Sequence, residues 1–255
     1  MAYVFTSCDE VIEVDLNESD PKVVIEAILK DQSGGNQVII SQTGSYFDPG
    51  TYPPVEGAMV KLIDQEGNEE ILTESEPGTY PIIETQAKAG MTYRLEVTSE
   101  GEEYVAQSSM QTPFQIDSIN FQVRNTPFGG GGEDDYAAIV FLTDEAGVDI
   151  FLLFDAVVNG EVQPDLFLYD GRQTDGEESR VPFFTLELKK GDQIKVNTYA
   201  IDQETYDYYN TLVDLVSGGF GGTATTPANP NSNWSNDALG FFGTLAVSEL
   251  EAVVE

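Results

Sequence analysis

Residues 58–63, Ala-Met-Val-Lys-Leu-Ile, and residues 92–97, Thr-Tyr-Arg-Leu-Glu-Val, carry the clearest side-chain pattern in the chain. In the first segment Val60 and Leu62 fall on one side of an extended backbone, and Lys61 falls on the other. This alternation is typical of a strand with one face in a core and the other in water. The two segments therefore predict strands of a half-buried β-sheet.

Strand signals continue on both sides of these segments, as short runs rich in Val, Ile, Phe and Tyr that are bounded by Gly, Pro, Asn and Asp. Residues 23–29 and 38–41 are apolar enough for strands that are either buried on both faces or part of a sandwich core. Residues 64–68, Asp-Gln-Glu-Gly-Asn, predict a hairpin connection. Further strands are predicted at residues 114–123, 136–143, 150–158, 166–169, 181–188, 193–201 and 239–248.

The strands and turns suggest how the chain divides into domains. Turn signals recur about every 8–12 residues, as is typical of β-sandwiches. Residues 111–113, Gln-Thr-Pro, interrupt the pattern and mark the predicted domain boundary. The chain is therefore predicted to be mainly β, with two antiparallel β-sandwich-like domains at residues 21–112 and 113–255, after an anchor region and tether at residues 1–20.

One amphipathic helix is predicted in the second domain, at residues 202–217. Asp202 is suited to cap its N-terminus, and apolar and aromatic residues recur at helical spacing from Thr205 onward. Two roles are open for its tyrosines, Tyr208 among them. They either pack the helix against the sheet, which is the commoner role, or form a recognition surface.

A long connection rich in Gly, Pro, Asn and Thr follows the helix, at residues 218–237. Loops of this length without regular structure are uncommon in compact domains unless they have a function or are disordered. Trp234, the only tryptophan, lies in this segment between Asn233 and Asn236. It either anchors the loop to its own domain, which is commoner, or contacts a ligand or partner.

The chain is strongly acidic, with 45 Asp and Glu residues against 11 Lys and Arg residues and a net charge of −34. Such a surface repels phosphate backbones, so nucleic acid is excluded as an expected partner. The acids are spread along the whole chain, which favours a general adaptation of the surface to salty surroundings. Attraction of a basic partner is the alternative.

The residues needed for most enzyme chemistry are missing. Histidine is absent and there is one cysteine, which excludes His-based triads, His metal sites and an internal disulfide. No Walker loop, dinucleotide fingerprint or nucleophile elbow occurs, and acidic pairs are too abundant for any one pair to indicate a hydrolase. Residues 129–135, Gly-rich and acidic, predict an exposed loop rather than a cation site. We expect no enzyme activity, no cofactor and no metal.

The single cysteine has a suggestive position. Cys8 follows Val-Phe-Thr-Ser at residues 4–7, the local pattern of a bacterial lipoprotein cleavage site, and acidic Asp9 and Glu10 come next. No stretch of about 18 apolar residues occurs, so a lipid on Cys8 is the one membrane link that the sequence predicts. A free thiol is the alternative.

Several motifs together resemble known families. Residues 54–95 resemble a carboxypeptidase-regulatory-like or transthyretin-like β-sandwich, a common module that says little about function. The wider set is more specific and resembles domain-of-unknown-function family 4249, predicted outer-membrane lipoproteins of Bacteroidetes. Its further motifs are Ile-Asp-Ser-Ile at residues 116–119, Tyr-Asp-Tyr-Tyr-Asn-Thr-Leu at residues 206–212, and the stretch from Pro-Ala-Asn-Pro to Ala-Leu-Gly-Phe-Phe at residues 227–242.

The resemblance implies a lipid anchor on Cys8 and a place on the outer membrane. Asp9 and Glu10 resemble a short form of the tag that exports such lipoproteins to the cell surface. Genes of the family often lie beside TonB-dependent, SusC-like receptors, which implies an accessory role with such a receptor in nutrient capture or uptake. The family has no established catalytic residues.

Three aromatic residues of the second domain, Tyr208, Trp234 and Phe242, are the ones that we expect to contact a ligand or partner. The family's Asn-Ile-x-Gly-Gly motif is replaced here by Asn-Trp-Ser-Asn-Asp at residues 233–237, so a ligand specificity cannot be transferred. The alternative function is a stand-alone surface binder of polysaccharide or peptide that works without a transporter.

Overall fold

The computed structural model describes residues 20–44, 50–124, 135–174, 176–216 and 229–255. These residues form fifteen strands, one α-helix and a short 3₁₀ turn at Gly171–Gln173. The strands are β1 Val23–Lys30, β2 Gln37–Gln42, β3 Met59–Asp64, β4 Glu69–Leu72, β5 Thr79–Pro81, β6 Thr92–Ser99, β7 Glu102–Ser109, β8 Ser118–Val123, β9 Tyr136–Thr143, β10 Phe151–Val158, β11 Glu161–Val162, β12 Phe167–Asp170, β13 Glu178–Leu188, β14 Gln193–Ile201 and β15 Leu239–Val253; the helix is α1 Gln203–Val216. The predictions of a mainly β protein and of one helix in its C-terminal half are confirmed.

The strands form one large and two smaller sheets. The large sheet has the order β11-β10-β14-β15-β1-β2-β5, and β12 pairs with β10 beside β11. The smaller sheets have the orders β4-β3-β6-β7 and β13-β9-β8. The first of these contains both segments with the clearest alternation, which pair with each other as β3 and β6.

The large sheet is built from both halves of the chain. β1 pairs with β15 in parallel, with Val24 opposite Leu239 and Lys30 opposite Leu245. Strands from before and after residue 112 therefore share one sheet, and the predicted boundary there does not coincide with a break between sheets. The reason is that the backbone groups of an apolar strand such as β1 need hydrogen-bond partners on both edges, and β15 supplies them on one edge.

One continuous hydrophobic cluster joins the inner faces of all three sheets. Ile25 and Ile40 of the large sheet, Leu62 of the four-stranded sheet and Val140 of the three-stranded sheet all belong to it, and each is fully buried. Because neighbouring residues of a strand point to opposite faces, Glu26 and Ile28 of β1 face away from this cluster. The large sheet therefore has a second, outer face.

Helix α1 covers part of that outer face. A smaller cluster of Phe151, Leu153, Tyr199, Ile201 and Leu245 packs there against residues that include Tyr206 and Tyr209 of the helix. The helix begins after Asp202, as predicted. Asp202 accepts hydrogen bonds from the backbone N–H of Thr205 at 2.9 Å and of Ser109 at 2.8 Å, so its cap also ties the helix to β7. No helix of the described ranges is long and apolar enough to span a membrane.

The predicted hairpin at residues 64–68 joins β3 to β4. The carboxylate of Asp64 accepts hydrogen bonds from the backbone N–H groups of Glu66 and Asn68 and from the Asn68 side chain, at 2.8–2.9 Å. The Asn68 side chain and these backbone donors hold the pKa of Asp64 below its ordinary value. The oxygens of Asp64 are thus engaged in closing the turn.

A buried carboxylate, Glu70 of β4, fixes the connection that follows β5. It accepts backbone hydrogen bonds from Ile83, Glu84 and Thr85 at 2.7–2.9 Å. Burial alone would raise the pKa of this carboxyl, but the three backbone donors and the Thr85 hydroxyl bring it below its ordinary value.

We expect Glu70→Gln to lower the free energy of unfolding at pH 7 by about 1–3 kcal/mol, because an amide accepts these three bonds less well than a carboxylate. Since the pKa of Glu70 is lower in the folded state, this stabilisation is present above the unfolded pKa and disappears as the pH falls through the folded value. Urea unfolding of the parent protein and of Glu70→Gln at pH 7 and near pH 3 measures this difference in stability and its dependence on pH. Glu69→Gln, an exposed neighbour, is the control, and an equal effect of both substitutions at pH 7 would contradict the assignment.

Candidate functional site

A groove lies on the outer face of β1 and β2, beside helix α1, and has a volume of about 750 Å³. Its floor is formed by residues of the neighbouring strands β1 and β2. Glu26 lies opposite Ile39 of β2, and Val24 lies opposite Ser41. The volume is in the range of about 300–1,000 Å³ that is typical of ligand sites.

Tyr208 of helix α1 forms an aromatic wall of this groove. Its ring stacks on Phe241 of β15 with 4.6 Å between ring centroids and 18° between ring planes, and meets Tyr209 edge-on at 5.3 Å. Phe241 is itself opposite Glu26 in the sheet, so the ring stack stands next to the carboxylate. Stacked and edge-on contacts of this kind hold an aromatic ring in a defined orientation.

The rim on the other side of the groove is formed by Tyr52 with Pro54 and Pro77, and Asn229 and Pro230 also line it. Tyr52 is 65% exposed, so its ring is available to a ligand. Large exposed aromatic rings in a concave setting are typical of binding sites rather than of bare surface.

The electrostatics of the groove are set by Glu26. Burial raises the pKa of Tyr208, and the negative charge of Glu26 raises it further. Burial likewise raises the pKa of Tyr209 to about 12, with smaller contributions from Tyr208 and Glu26. Both hydroxyls are therefore protonated at neutral pH and can donate hydrogen bonds. Among the described residues that line the groove, Glu26 carries the one charge, and it is negative.

A comparison with protein families identifies the chain. The family described as Domain of unknown function (DUF4249) matches residues 9–251. The chain belongs to this family. A comparison with curated proteins finds no match.

In this DUF4249 protein, the tryptophan that sequence analysis selected anchors the loop. Trp234 is 6% exposed and donates its indole N–H to the carbonyl oxygen of Ile25 at 2.9 Å. Ser235, the next residue, exchanges hydrogen bonds with Val105 of β7 at 2.9 Å in each direction. The described end of the loop, residues 229–237, is thus held across the large sheet and the four-stranded sheet, and Trp234 presents almost no surface to a partner.

Phe242 is also unsuited to direct contact, because its side chain is completely buried in the main core. Its neighbour Phe241 points to the opposite face of β15 and carries the ring stack with Tyr208. Phe242 therefore lies on the core-facing side of β15, away from the groove. Periodicity gives little guidance here, since residues 239–247 are apolar at nearly every position and can be buried on both faces.

Of the predicted contact residues of this DUF4249 chain, Tyr208 lines the groove. Tyr208 and Tyr209 are both partly buried, and Tyr209 packs against the outer-face cluster. Sequence reasoning missed Glu26 and Tyr52. A single acid within the apolar segment 23–29 was the available signal for Glu26, since a charged residue in a buried strand requires an open face.

Several further predictions lie wholly or partly outside the described residues. These are the lipid anchor at Cys8, the tether at residues 1–20 except Asp20, the glycine-rich loop at residues 129–135 except Asp135, and residues 218–228 of the long loop after the helix. Within the described part of the chain, no group of three or more acidic or cysteine side chains is placed to hold a metal ion. The groove is accordingly the best candidate site.

Proposed function

We propose that this protein is a non-enzymatic, lipid-anchored surface protein that works as the accessory subunit of a TonB-dependent outer-membrane transporter in nutrient capture or uptake. The observation that carries the binding role is the groove beside helix α1, with Tyr208 and Tyr52 on its sides and Glu26 on its floor. The transporter, the Cys8 lipid and the cell-surface location rest on the sequence motifs that resemble the family's lipoproteins.

The chemistry of the groove suits capture better than catalysis. Glu26 is the one carboxyl group among the described residues that line it. Hydrolysis by an acid pair needs two carboxyl groups at a defined separation, and nucleophilic catalysis needs a base beside the nucleophile. Aromatic rings, hydroxyls and an amide, as supplied by Tyr208, Ser41 and Asn229, instead provide contact area and orientation.

We expect the protein, produced in its own host with its natural export signal and isolated from detergent-solubilised membranes, to bring a TonB-dependent receptor with it in stoichiometric amount. Mass spectrometry identifies the partner and the acyl group on Cys8. The matched control is Cys8→Ala, which cannot carry the acyl group and should lose the export that depends on it, so that much less of the protein is recovered together with the receptor. Recovery of the acylated protein alone would exclude a stable complex and favour the stand-alone binder of polysaccharide or peptide.

A further inference from the structure

We infer that the groove binds an extended, cationic peptide segment, with a lysine or arginine side chain of that segment placed between the Glu26 carboxylate and the ring face of Tyr208. This inference rests on the proposed binding function of the groove and names the chemistry of its occupant. Three observations carry it, namely the charge of the groove, the aromatic rings beside that charge, and the polar and proline groups along its sides.

The charge of the groove is negative and uncompensated. No Lys or Arg is among the described residues that line it, and Glu26 takes part in none of the ion pairs found in the described ranges. The whole chain carries a net charge of −34, so its field attracts cations and repels anions. A cationic ligand therefore gains both from the general field and from one specific carboxylate.

The rings select the kind of cation. Tyr208 is held by its stack on Phe241, and Tyr52 stands exposed at the opposite side. A lysine or arginine side chain is attracted to the face of an aromatic ring, and its aliphatic stem packs on the same ring. Glu26 pairs with Phe241 across the sheet, and Phe241 stacks on Tyr208, so the carboxylate and the ring are neighbours on the outer face.

The remaining lining residues suit a peptide backbone. Ser41 and Thr43 offer hydroxyls, and Asn229 offers an amide that can donate to and accept from a peptide group. Pro54 and Pro230 add rigid apolar surfaces beside the tyrosine rings. Grooves lined by aromatic rings are a common way of binding extended, proline-containing segments, whose limited freedom lowers the entropic cost of binding.

The test uses the full chain and the peptide acetyl-Ala-Pro-Lys-Pro-Arg-Pro-Ala-amide, titrated by calorimetry. A second peptide replaces Lys by norleucine and Arg by citrulline, which keeps the shape and removes the charge. We expect the cationic peptide to bind at least about tenfold more tightly than the neutral one, and Glu26→Gln to remove most of that difference. Tyr208→Leu should weaken the cationic peptide severalfold.

The matched control is Glu251→Gln, which makes the same charge change on the outer face. Glu26 pairs with Phe241 of β15. Glu251 lies ten residues beyond Phe241 on the same strand, so it is about 33 Å from the position opposite Glu26. The affinity of Glu251→Gln for the cationic peptide should stay within about twofold of that of the parent protein. Circular dichroism shows that each variant is folded, which is expected because Glu26 is exposed.

Several results would overturn the inference. Equal weakening by Glu26→Gln and Glu251→Gln would mean a general attraction to an acidic surface. Equal affinity for the charged and neutral peptides would exclude a cation site, and no binding of either peptide at millimolar concentration would exclude the peptide. Binding of spermidine as tightly as the peptide would assign the groove to free amines. Each result leaves recovery of the receptor from membranes unaffected, so the two proposals fail separately.

Discussion

Gly240→Ala is expected to lower the free energy of unfolding by at least about 4 kcal/mol, a large share of the 5–15 kcal/mol that stabilises a typical protein. Gly240 lies in β15 opposite Ile25, with a φ of 87°. A Cβ atom added there would lie 2.2 Å from the carbonyl oxygen and 2.7 Å from the carbonyl carbon of Ile25. Because these are backbone atoms of a central strand, they cannot move away without breaking the parallel pairing.

The matched control is Gly101→Ala. Gly101 has nearly the same φ of 89°, but nothing lies within 4 Å of the added Cβ. It should cost only about 1–2 kcal/mol, the ordinary penalty of a left-handed backbone for a residue with a side chain. Urea unfolding followed by circular dichroism compares the two variants. A Gly240→Ala protein that is as stable as Gly101→Ala would show that β1 and β15 do not approach as closely as described.

The same strand pair shows what sequence analysis could predict and what it could not. Local alternation identified β3 and β6, and helix α1 at Gln203–Val216 was expected at residues 202–217. The partner of β1 was not predictable, since Ile25 and Gly240 come from opposite ends of the chain. No local pattern specifies which of several apolar strands will pair, so the division at residue 112 followed the turns rather than the sheet.

Of the residues that line the candidate site, Tyr208 was the one predicted from the sequence. Tyr208 belongs to an amphipathic helix, whose spacing already separates a packed face from an open one. Trp234 and Phe242 were selected because they are aromatic. Large aromatic side chains stabilise protein cores as well as interfaces, so the residue type alone does not distinguish the two. Glu26 and Tyr52 reach the groove only through the folding of distant segments, which no local spacing reveals.

Trp234→Ala is expected to lower the free energy of unfolding by about 3–5 kcal/mol, because it leaves a large cavity in the main core and removes a hydrogen-bond donor from Ile25. Trp234→Phe keeps most of the apolar volume and loses the indole N–H, so about 1–3 kcal/mol is expected. Phe184→Ala is the control, since Phe184 is 61% exposed and its removal should change the stability by about 0.5 kcal/mol or less. All are measured by urea unfolding with circular dichroism.

Binding by these variants separates an anchoring tryptophan from a contacting one. Ile25, which accepts the indole N–H, points into the main core, while Glu26 on the next position faces the groove. Trp234→Phe should therefore bind the cationic peptide as tightly as the parent at temperatures where both are folded, despite its lower stability. A contacting tryptophan would give the opposite pair of results, with weaker binding and unchanged stability. Because the two measurements move independently, either outcome assigns the role of Trp234.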